Sequence, residues 1–244
     1  QLFDRYGIIG TFHLNSGLLD TRAIWYQGKP NEFLGTYLSK DTLLYVFKNH
    51  EIAVHGTYHK ALVGLSDEEI LEEINVDIEN LTILSDRKIS SMAYAFGSTN
   101  DHVAEVIGTT PLTNARTVKP SYNFELPQDY YLWNPTCHDS EALEYLEAYL
   151  SLDSPSLSLF YVWGHSWELR DTLRNQNILK FCNEIGDRDD IWYTGAGDFA
   201  DYHASLKVLE IGPQQIVNPE GNGVVYYREK GQLKSLNPGQ RLTH

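Results

Sequence analysis

The chain of 244 residues has few cysteines and no long apolar run. Its two cysteines, Cys137 and Cys182, are too few for a disulfide framework, and neither lies in a CxxC metal or redox pattern. They either pair with each other or act as separate small apolar residues, and the sequence leaves both readings open. No stretch approaches the ~18 consecutive apolar residues of a membrane-spanning helix, so we expect no membrane span.

Positive charge is also scarce, because 19 Lys and Arg residues face 33 Asp and Glu residues, for a formal net charge of −14. Nucleic-acid binding depends on clustered Lys and Arg, so we expect no nucleic-acid partner. With 42% hydrophobic and 21% charged residues, the chain can bury a sizeable core, and its composition is neither disordered nor fibrous. No secretory signal peptide is recognisable, but this is weak evidence in a chain that does not begin like a natural start, so the compartment stays open with a preference for the cytoplasm.

Short β-like runs alternate with helical patterns, and the chain has no internal repeat. Strands are predicted at Ile8–Leu14, Glu51–Val54, Ile89–Ala95, Asn114–Val118, Leu157–Trp163 and Ile191–Thr194. Helices are predicted at Leu43–Asn49, from the capping box at Ser66 through Leu81, and at Asp101–Ile107, Glu141–Leu150, Thr172–Ile185 and Phe199–Ala204. This alternation predicts an α/β fold in which helices wrap a parallel sheet, closed as a (β/α) barrel.

The pattern changes near residue 208 to β segments punctuated by Pro and Gly, at Gly223–Arg228 and Gln232–Ser235. We therefore predict that residues 1–207 form the barrel and that residues 208–244 form a small C-terminal β extension of the same domain. At the other end, Gln1–Gly7 reads as the last turns of a helix that ends at a glycine cap. We expect further chain upstream of it.

Two histidines follow the predicted strand Glu51–Val54. His55 and His59 are four positions apart, a spacing that lets both imidazoles face one cation if the loop turns helically. The spacing alone is weak evidence, because a chain with nine histidines produces such pairs by chance. Their position strengthens the case, since the sites of parallel α/β barrels form from the loops that follow strand carboxyl ends.

Two other strand ends carry candidate groups. The strand Leu157–Trp163 ends in Gly164-His165, where the alternative reading is a histidine satisfied by loop backbone. The strand Ile89–Ala95 leads into a glycine turn at Gly97, whose backbone N–H groups can hold a developing oxyanion. Its alternative is a plain strand-to-helix loop. Three strand ends, two of them with histidine, are thus expected at one rim.

These segments resemble, in order and spacing, successive motifs of the polysaccharide deacetylase family (NodB homology, carbohydrate esterase 4-like). The family's second motif is His-Ser/Thr-x-x-His, and His55-Gly-Thr-Tyr-His59 is similar to it, with Gly56 in place of the hydroxyl residue. The third motif is an Arg-x-Pro-x-Gly turn. The segment Ala93–Gly97 resembles it, although Ala93 replaces the arginine and Ala95 the proline.

The resemblance extends to both sides of these motifs. The fourth motif is built around a tryptophan and resembles Tyr131–His138, whereas the fifth is an apolar strand that ends in a histidine and resembles Phe160–His165. Gly10–Gly17 is similar to the family's second strand. Family members also carry an Asp-Asp motif upstream of that strand. Because Asp189-Asp190 precedes a predicted strand instead of following one, we expect the motif and the first barrel strand to lie upstream of this chain.

The resemblance implies a distorted (β/α) barrel that hydrolyses N-acetyl amide groups on amino sugars or polysaccharide. By this resemblance His55 and His59 would bind a divalent metal, for which Zn²⁺ is expected, and His165 would protonate the departing amine. Arg116 would pair with the catalytic base in place of the arginine missing at Ala93. The residues expected to contact the carbohydrate or its oxyanion are Tyr94, Ala95, Trp133, His138 and Glu168, and His13 and Asn15 are further candidates for lining the pocket. For Trp133 a core position stays open, and Glu168 could instead orient His165 or be a solvated loop carboxylate.

Two other readings remain open at this point. One is a catalytically impaired carbohydrate-binding relative that keeps the fold, which the absent Asp-Asp pair and the replaced arginine favour. The retained histidines disfavour it, because a pure binder has little use for metal-ligand spacing together with a separate acid. The other is a different metal-dependent amidohydrolase on a similar barrel, and the His-x-His pattern usual in those enzymes does not occur here.

Overall fold

A computed structural model of the chain describes residues 2–24, 34–154 and 156–243. These residues form two compact units, Gln1–Gly195 and Ala196–His244. The second unit thus begins with the helix Ala196–Lys207, and the boundary predicted after residue 207 stays a prediction.

The first unit alternates strands and helices, as the sequence predicts. Its strands are β1 (Thr11–Leu14), β2 (Arg22–Ile24), β3 (Leu34–Thr36), β4 (Glu51–Val54), β5 (Ser91–Ala93), β6 (Asn114–Arg116), β7 (Cys137–His138) and β8 (Val162–Trp163). Its helices are α1 (Leu2–Arg5), α2 (Lys40–Val46), α3 (Asp67–Ser85), α4 (Asp101–Ile107), α5 (Ala142–Leu150) and α6 (Thr172–Ile185). Short 3₁₀ turns lie at Ser16–Leu18, Ala95–Gly97 and Glu168–Arg170.

The main sheet consists of parallel strands in the order β1-β4-β5-β6. A parallel bridge between Arg116 and Trp133 joins β6 to the segment that leads into β7, and β7 pairs with β8, again in parallel. These six strands therefore run in one direction, and their carboxyl ends lie at one edge. The strands β2 and β3, which the sequence did not predict, form a separate antiparallel pair.

The longest helix, α3, shows how the sequence builds this layer. Ser66 caps it: its hydroxyl accepts the Glu69 N–H at 3.3 Å, and the Glu69 carboxylate accepts the Ser66 N–H at 2.8 Å. The apolar face packs in one cluster with residues of β4 and β5, and each such buried side chain contributes roughly 1.5–3 kcal/mol. Two buried carboxylates, Glu73 and Asp77, interrupt this face.

One predicted strand is wrong. Ile191–Thr194 forms no strand, although its β-branched and aromatic residues favour one. Among the described residues, the Tyr193 hydroxyl donates a hydrogen bond to the Ile185 carbonyl at the end of α6. Side-chain contacts of this kind hold the segment in place of strand pairing. The strand predicted at Leu157–Trp163 is also much shorter than expected, since only its last two residues pair.

The second unit is a helix followed by β structure. It contains α7 (Ala196–Lys207), β9 (Glu210–Ile211), β10 (Gln215–Val217), β11 (Val225–Glu229), β12 (Gln232–Leu236) and β13 (Arg241–Thr243). The order β13-β10-β9 gives an antiparallel sheet, and β11 and β12 form a hairpin. The β character predicted for this region is confirmed.

Two expectations from composition can also be compared with the structure. Cys137 and Cys182 are both free and buried, and both belong to the apolar cluster around α5 and α6. They therefore act as separate small apolar residues. None of the helices in the described ranges is long and apolar enough to cross a membrane.

Candidate active site

The candidate groups lie at the carboxyl edge of the parallel sheet. Asn15 follows β1, His55 follows β4, Tyr94 follows β5 and His165 lies just beyond β8. Because the strands are parallel, the loops that carry these residues meet at one edge, where α/β folds place their sites. The topology thus agrees with the convergence expected from the sequence.

His55 and His59 face each other through their Nε2 atoms, which lie 3.0 Å apart. The Nδ1 atom of His55 lies 2.8 Å from the Ala93 carbonyl oxygen. Since a carbonyl only accepts, Nδ1 of His55 carries the ring hydrogen and Nε2 offers a lone pair. In the absence of a cation, the Nε2–H of His59 must then donate to Nε2 of His55.

Burial favours the neutral form of both imidazoles. Desolvation, followed by the charges of His59 and Arg116, lowers the pKa of His55 to about 3. Desolvation and then the charge of His165 also lower the pKa of His59, against an opposing effect of Glu73. A neutral imidazole is the form that ligates a metal, so two convergent Nε2 atoms with low pKa values fit a divalent cation as a pair of ligands.

The structure brings His165 to the same site. Its charge is among the causes that lower the pKa of both His55 and His59. The side chain is 44% exposed, and its Nδ1 lies 3.1 Å from Oε2 of Glu168, which also accepts the His165 N–H at 3.1 Å. This contact places the hydrogen on Nδ1 and leaves Nε2 available to the site.

Glu168 is the centre of a wider ionic network. Its Oε2 also lies 3.1 Å from Nε2 of His138, and its Oε1 lies 2.6 Å from the Arg174 guanidinium. Burial raises the pKa of Glu168, but hydrogen bonds from His165 and Arg174 outweigh it, and the net shift is downward. A hydrogen bond to Asp139 is the main cause that raises the pKa of His138.

Ligand atoms of His138, His165 and Glu168 lie within 4.8 Å of one another, and this is the one such group of three among the residues that the structure describes. Two observations argue that it is an ion-pair network. The hydrogen bond to Asp139 raises the pKa of His138 and so favours its protonated form, and Arg174 already pairs with the Glu168 carboxylate. His138 and Glu168, which were expected to contact substrate, are thus engaged with each other.

Arg116 lies in the interior behind the histidine pair. It is 7% exposed, donates a hydrogen bond from Nη1 to the Thr117 carbonyl at 2.9 Å, and lies over the Trp163 ring at 4.5 Å. Its charge contributes to the low pKa values of His13 and His55. No carboxylate among the described residues forms an ion pair with it, so the expected pairing with a base stays a prediction.

Two residues expected at the pocket wall are core residues instead. Trp133 is 2% exposed and packs edge-on against Tyr130 and Tyr161, so its ring faces no open pocket. Tyr94 is 1% exposed, its hydroxyl donates to the Tyr131 carbonyl, and its N–H donates to the Arg116 carbonyl at 3.1 Å. The expectation of a Tyr94 N–H oxyanion donor is therefore corrected, because the sheet already uses that N–H.

The sequence reading missed Phe96. This residue has φ 57°, a conformation that bulky residues rarely adopt, and its side chain is 72% exposed. Its ring lies 4.4 Å from the His59 ring in an edge-to-face arrangement. The following Gly97 also has positive φ, and a Cβ there would overlap Val118. In the sequence, the one signal that could have identified this exposed ring was an aromatic residue inside the glycine turn.

The two pocket candidates on and after β1 differ in environment. Asn15 donates from Nδ2 to the carbonyls of His55 and Gly56 at 2.8 and 2.7 Å, so it holds the loop backbone. His13 has a buried Nε2 without a hydrogen-bond partner, and its ring centroid lies 6.2 Å from that of His55. Desolvation is the main cause that lowers the pKa of His13 well below its usual value.

The chain resembles known proteins over part of its length. Residues 1–115 match the profile of the family described as polysaccharide deacetylase, whereas no curated protein sequence matches. A structure from Mycobacterium smegmatis, described as a polysaccharide deacetylase, has 16% identity and a TM-score of 0.56, with 84% of this chain and 75% of that chain covered. This match supports the α/β fold.

Two further structures share less. A polysaccharide deacetylase from Bacillus cereus has 19% identity and a TM-score of 0.37 over 47% of this chain, which spans only 32% of that protein. A carbohydrate esterase 4 family pseudoenzyme from Bacillus anthracis has 14% identity and a TM-score of 0.43, with 76% of this chain and 54% of that chain covered. The profile match over residues 1–115 agrees with the family resemblance expected from the motifs, and the Mycobacterium smegmatis structure shares the fold.

Proposed function

We propose that the chain provides the metal-binding and acid groups of a hydrolase that removes N-acetyl groups from amino sugars or polysaccharide. The observation that carries this proposal is the pair of neutral imidazoles, His55 and His59, with Nε2 atoms 3.0 Å apart and with His165 at the same edge. The family match over residues 1–115 supports it, because this segment contains the histidine pair.

His55 and His59 would hold a divalent cation, for which imidazole ligands favour Zn²⁺. Such a cation, when bound, polarises the acyl oxygen and lowers the pKa of a bound water from ~16 towards ~7. The hydrogen bond from His55 Nδ1 to Ala93 fixes the ring so that Nε2 keeps its lone pair directed at the site. The chain therefore fixes the orientation of the His55 ring before a ligand binds.

His165 would deliver the proton to the departing amine. An imidazole titrates near neutrality, which suits a general acid. Glu168 accepts the Nδ1–H of His165, so the transferable proton resides on Nε2. We therefore assign Glu168 as a positioning residue for His165, in place of the substrate contact expected from the sequence.

The substrate would lie against the turn that follows β5. The N–H of Ala95 remains the proposed oxyanion donor, because none of the hydrogen bonds found among the described residues uses it. The exposed ring of Phe96, beside His59, offers an apolar face on which a sugar can stack. Arg116, buried behind the pair, would stabilise a carboxylate base.

We also propose a more specific fold than the order of the strands gives. We infer that the six parallel strands belong to a (β/α) barrel of the polysaccharide deacetylase type, with the histidine edge at its carboxyl end. This inference accounts for the loops after β4, β5 and β8 supplying groups to one site.

The experiment measures acetate released from N-acetylglucosamine oligomers after chelation and readdition of Zn²⁺. We expect release by the full-length protein, a loss of ~100-fold or more in His165→Gln, and loss of zinc binding in His55→Ala. His102→Gln serves as a matched control, because His102 is exposed and its imidazole pairs with the exposed Asp67. A full-length protein that binds zinc but releases no acetate would contradict the proposal, as would normal turnover in His165→Gln.

A further inference from the structure

Helix α3 presents two buried carboxylates to the loop that carries the histidine pair. We call residues 55–60 the histidine loop. Glu73 and Asp77 lie four positions apart on α3, so their side chains emerge on the same face one turn apart. The exposed fractions of these residues are 3% and 0%, respectively. Acidic side chains are rarely buried so completely unless they are paired, so their contacts need an explanation.

Glu73 binds the middle of the histidine loop. Its Oε1 accepts the N–H of Tyr58 at 2.7 Å and the N–H of Lys60 at 3.3 Å. Its backbone carbonyl accepts both the N–H and the hydroxyl of Thr57, at 3.0 and 2.8 Å. The two N–H groups that flank His59 in the chain therefore point at one carboxylate oxygen.

Asp77 binds the start of the same loop. Its Oδ2 accepts the N–H of His55 at 3.1 Å, and its Oδ1 accepts the N–H of Ser16 at 2.7 Å. Both oxygens thus receive backbone donors, one from the loop after β4 and one from the loop after β1. The Asp77 carboxylate therefore links the loop after β1 to the loop after β4, in which His55 lies.

Gly56 shows how closely Glu73 fits. Its φ of 80° lies in the left-handed region, and a Cβ built there would lie 2.9 Å from Oε1 of Glu73. The family pattern has Ser or Thr at this position, whereas in this chain the Glu73 carboxylate fills the space that such a side chain needs. The glycine at position 56, in place of a hydroxyl residue, and the position of the Glu73 carboxylate therefore depend on each other.

Stability alone does not account for these carboxylates. Removing a charge from water is costly, and well-packed apolar residues often stabilise a core as well as a buried ion does. Among the described residues, the cation that pairs with Glu73 is Lys60, whose Nζ lies 3.6 Å from Oε2 and whose side chain is 55% exposed. The two carboxylates instead fix the direction in which the backbone N–H groups beside both histidines point.

We propose that Glu73 and Asp77 are positioning residues that set the separation of the His55 and His59 imidazoles, and thereby the affinity of the pair for a divalent cation. This inference rests on the proposed metal-binding role of the histidine pair. It gives helix α3 a role in the site, although α3 contains none of the motifs that identify the site.

The two carboxylates predict opposite outcomes for amide replacements. Glu73→Gln keeps an oxygen for the N–H groups of Tyr58 and Lys60, because only Oε1 accepts them. Asp77→Asn loses one of two bonds, since its amide NH₂ must face a backbone donor. We expect the zinc dissociation constant to rise ~10-fold or more in Glu73→Ala and Asp77→Asn, and to stay within about threefold of wild type in Glu73→Gln.

Isothermal titration of the full chain with Zn²⁺ measures these affinities, and Glu72→Gln is the matched control, an exposed carboxylate on the same helix. A double-mutant cycle separates positioning from general destabilisation. In a His59→Ala background, Glu73→Ala should cause no further loss of zinc affinity. Equal zinc affinities for wild type, Glu73→Ala and Asp77→Asn would overturn the inference, as would an undiminished effect of Glu73→Ala without His59.

A second readout needs no metal. Histidine ring ¹⁵N shifts in the metal-free chain should show the Nδ1–H form of His55 and its hydrogen bond from His59, and Glu73→Ala should abolish the hydrogen bond. If wild type shows this pairing but binds no zinc, the proposed metal role fails while the positioning inference stands or falls on the variant spectra. If wild type lacks the pairing, the positioning inference is overturned.

Discussion

Phe96 joins strain and exposure in a single residue. A non-glycine residue held at φ 57° costs of order 1–2 kcal/mol, and its exposed ring recovers little by burial. Strained residues of this kind concentrate at functional sites. In the present structure the ring lies beside His59, where a stacked sugar would gain from it.

Replacing Phe96 should therefore separate stability from substrate binding. We expect Phe96→Gly to leave the free energy of unfolding unchanged or to raise it by up to ~1 kcal/mol, because glycine adopts positive φ without strain. The same variant should raise the KM for an N-acetylated oligomer about fivefold, through loss of ~1 kcal/mol of stacking. Urea titration and initial-rate kinetics measure the two quantities, and a marked loss of stability with unchanged KM would contradict the assignment.

His138 links the ionic network to pH. Its pKa is raised in the folded chain, first by the hydrogen bond to Asp139, whereas an unfolded histidine has a pKa of about 6.5. The protonated form therefore stabilises the fold fully below about pH 6.5, and this contribution is lost as the pH rises through the folded value.

We expect the free energy of unfolding of the wild-type chain, relative to that of His138→Gln, to decline between about pH 6 and pH 8. Denaturant titrations across this range measure both slopes. The control is His102→Gln, an exposed histidine outside the network, which should keep the wild-type slope. Identical slopes in wild type and His138→Gln would remove His138 from the pH response.

Helix α3 performs two separable tasks along its length. Its N-terminus is stabilised by the capping box of Ser66 and Glu69, whereas its second and third turns hold the histidine loop through Glu73 and Asp77. Capping affects helix stability and should not affect the loop, because the capping groups make none of the loop's hydrogen bonds.

Ser66→Ala should consequently lower the free energy of unfolding by ~1 kcal/mol without changing the zinc affinity measured on folded protein. Thermal melting gives the first quantity and isothermal titration the second. A loss of zinc affinity in Ser66→Ala comparable to that of Glu73→Ala would mean that the effect of Glu73 reflects helix stability alone.

At the scale of elements, strong local signals were sufficient for much of the fold. The capping box at Ser66, and the bounds of β4, α4 and α6, agree with the sequence reading. Elements that depend on distant partners were not recognisable: β7 is two residues long, and β2 and β3 exist through their pairing. For the same reason Ile191–Thr194 was mistaken for a strand.

The site shows the same division. The histidines could be found because each follows a strand, and parallel strands end together. Glu73 and Asp77 could not, because α3 is rich in acidic residues, and nothing local distinguishes a carboxylate that faces backbone donors from one that faces water. Their partners lie 13–61 positions away in the chain. Trp133 failed in the other direction, since a core tryptophan and a pocket tryptophan have similar local sequence.

For the whole molecule, charge is the property that bears most on function. The chain carries a formal net charge of −14, and such a field attracts cations and is weakened by salt. The proposed reaction turns a neutral amide into an amine, which is cationic when protonated. Substrate and product therefore differ in how the protein's field acts on them, although they differ by one acetyl group per sugar.

We expect a deacetylated glucosamine oligomer to bind more weakly as the ionic strength rises from about 0.05 M to 0.5 M, by ~10-fold, because the Debye length shortens over this range. The N-acetylated oligomer of equal length, which is uncharged, is the matched control and should bind with nearly constant affinity. Isothermal titration at pH 6 measures both ligands. If the field acts as described, product inhibition of acetate release should also be relieved by salt. Parallel salt dependence of the two oligomers would show that the protein's negative charge does not distinguish product from substrate.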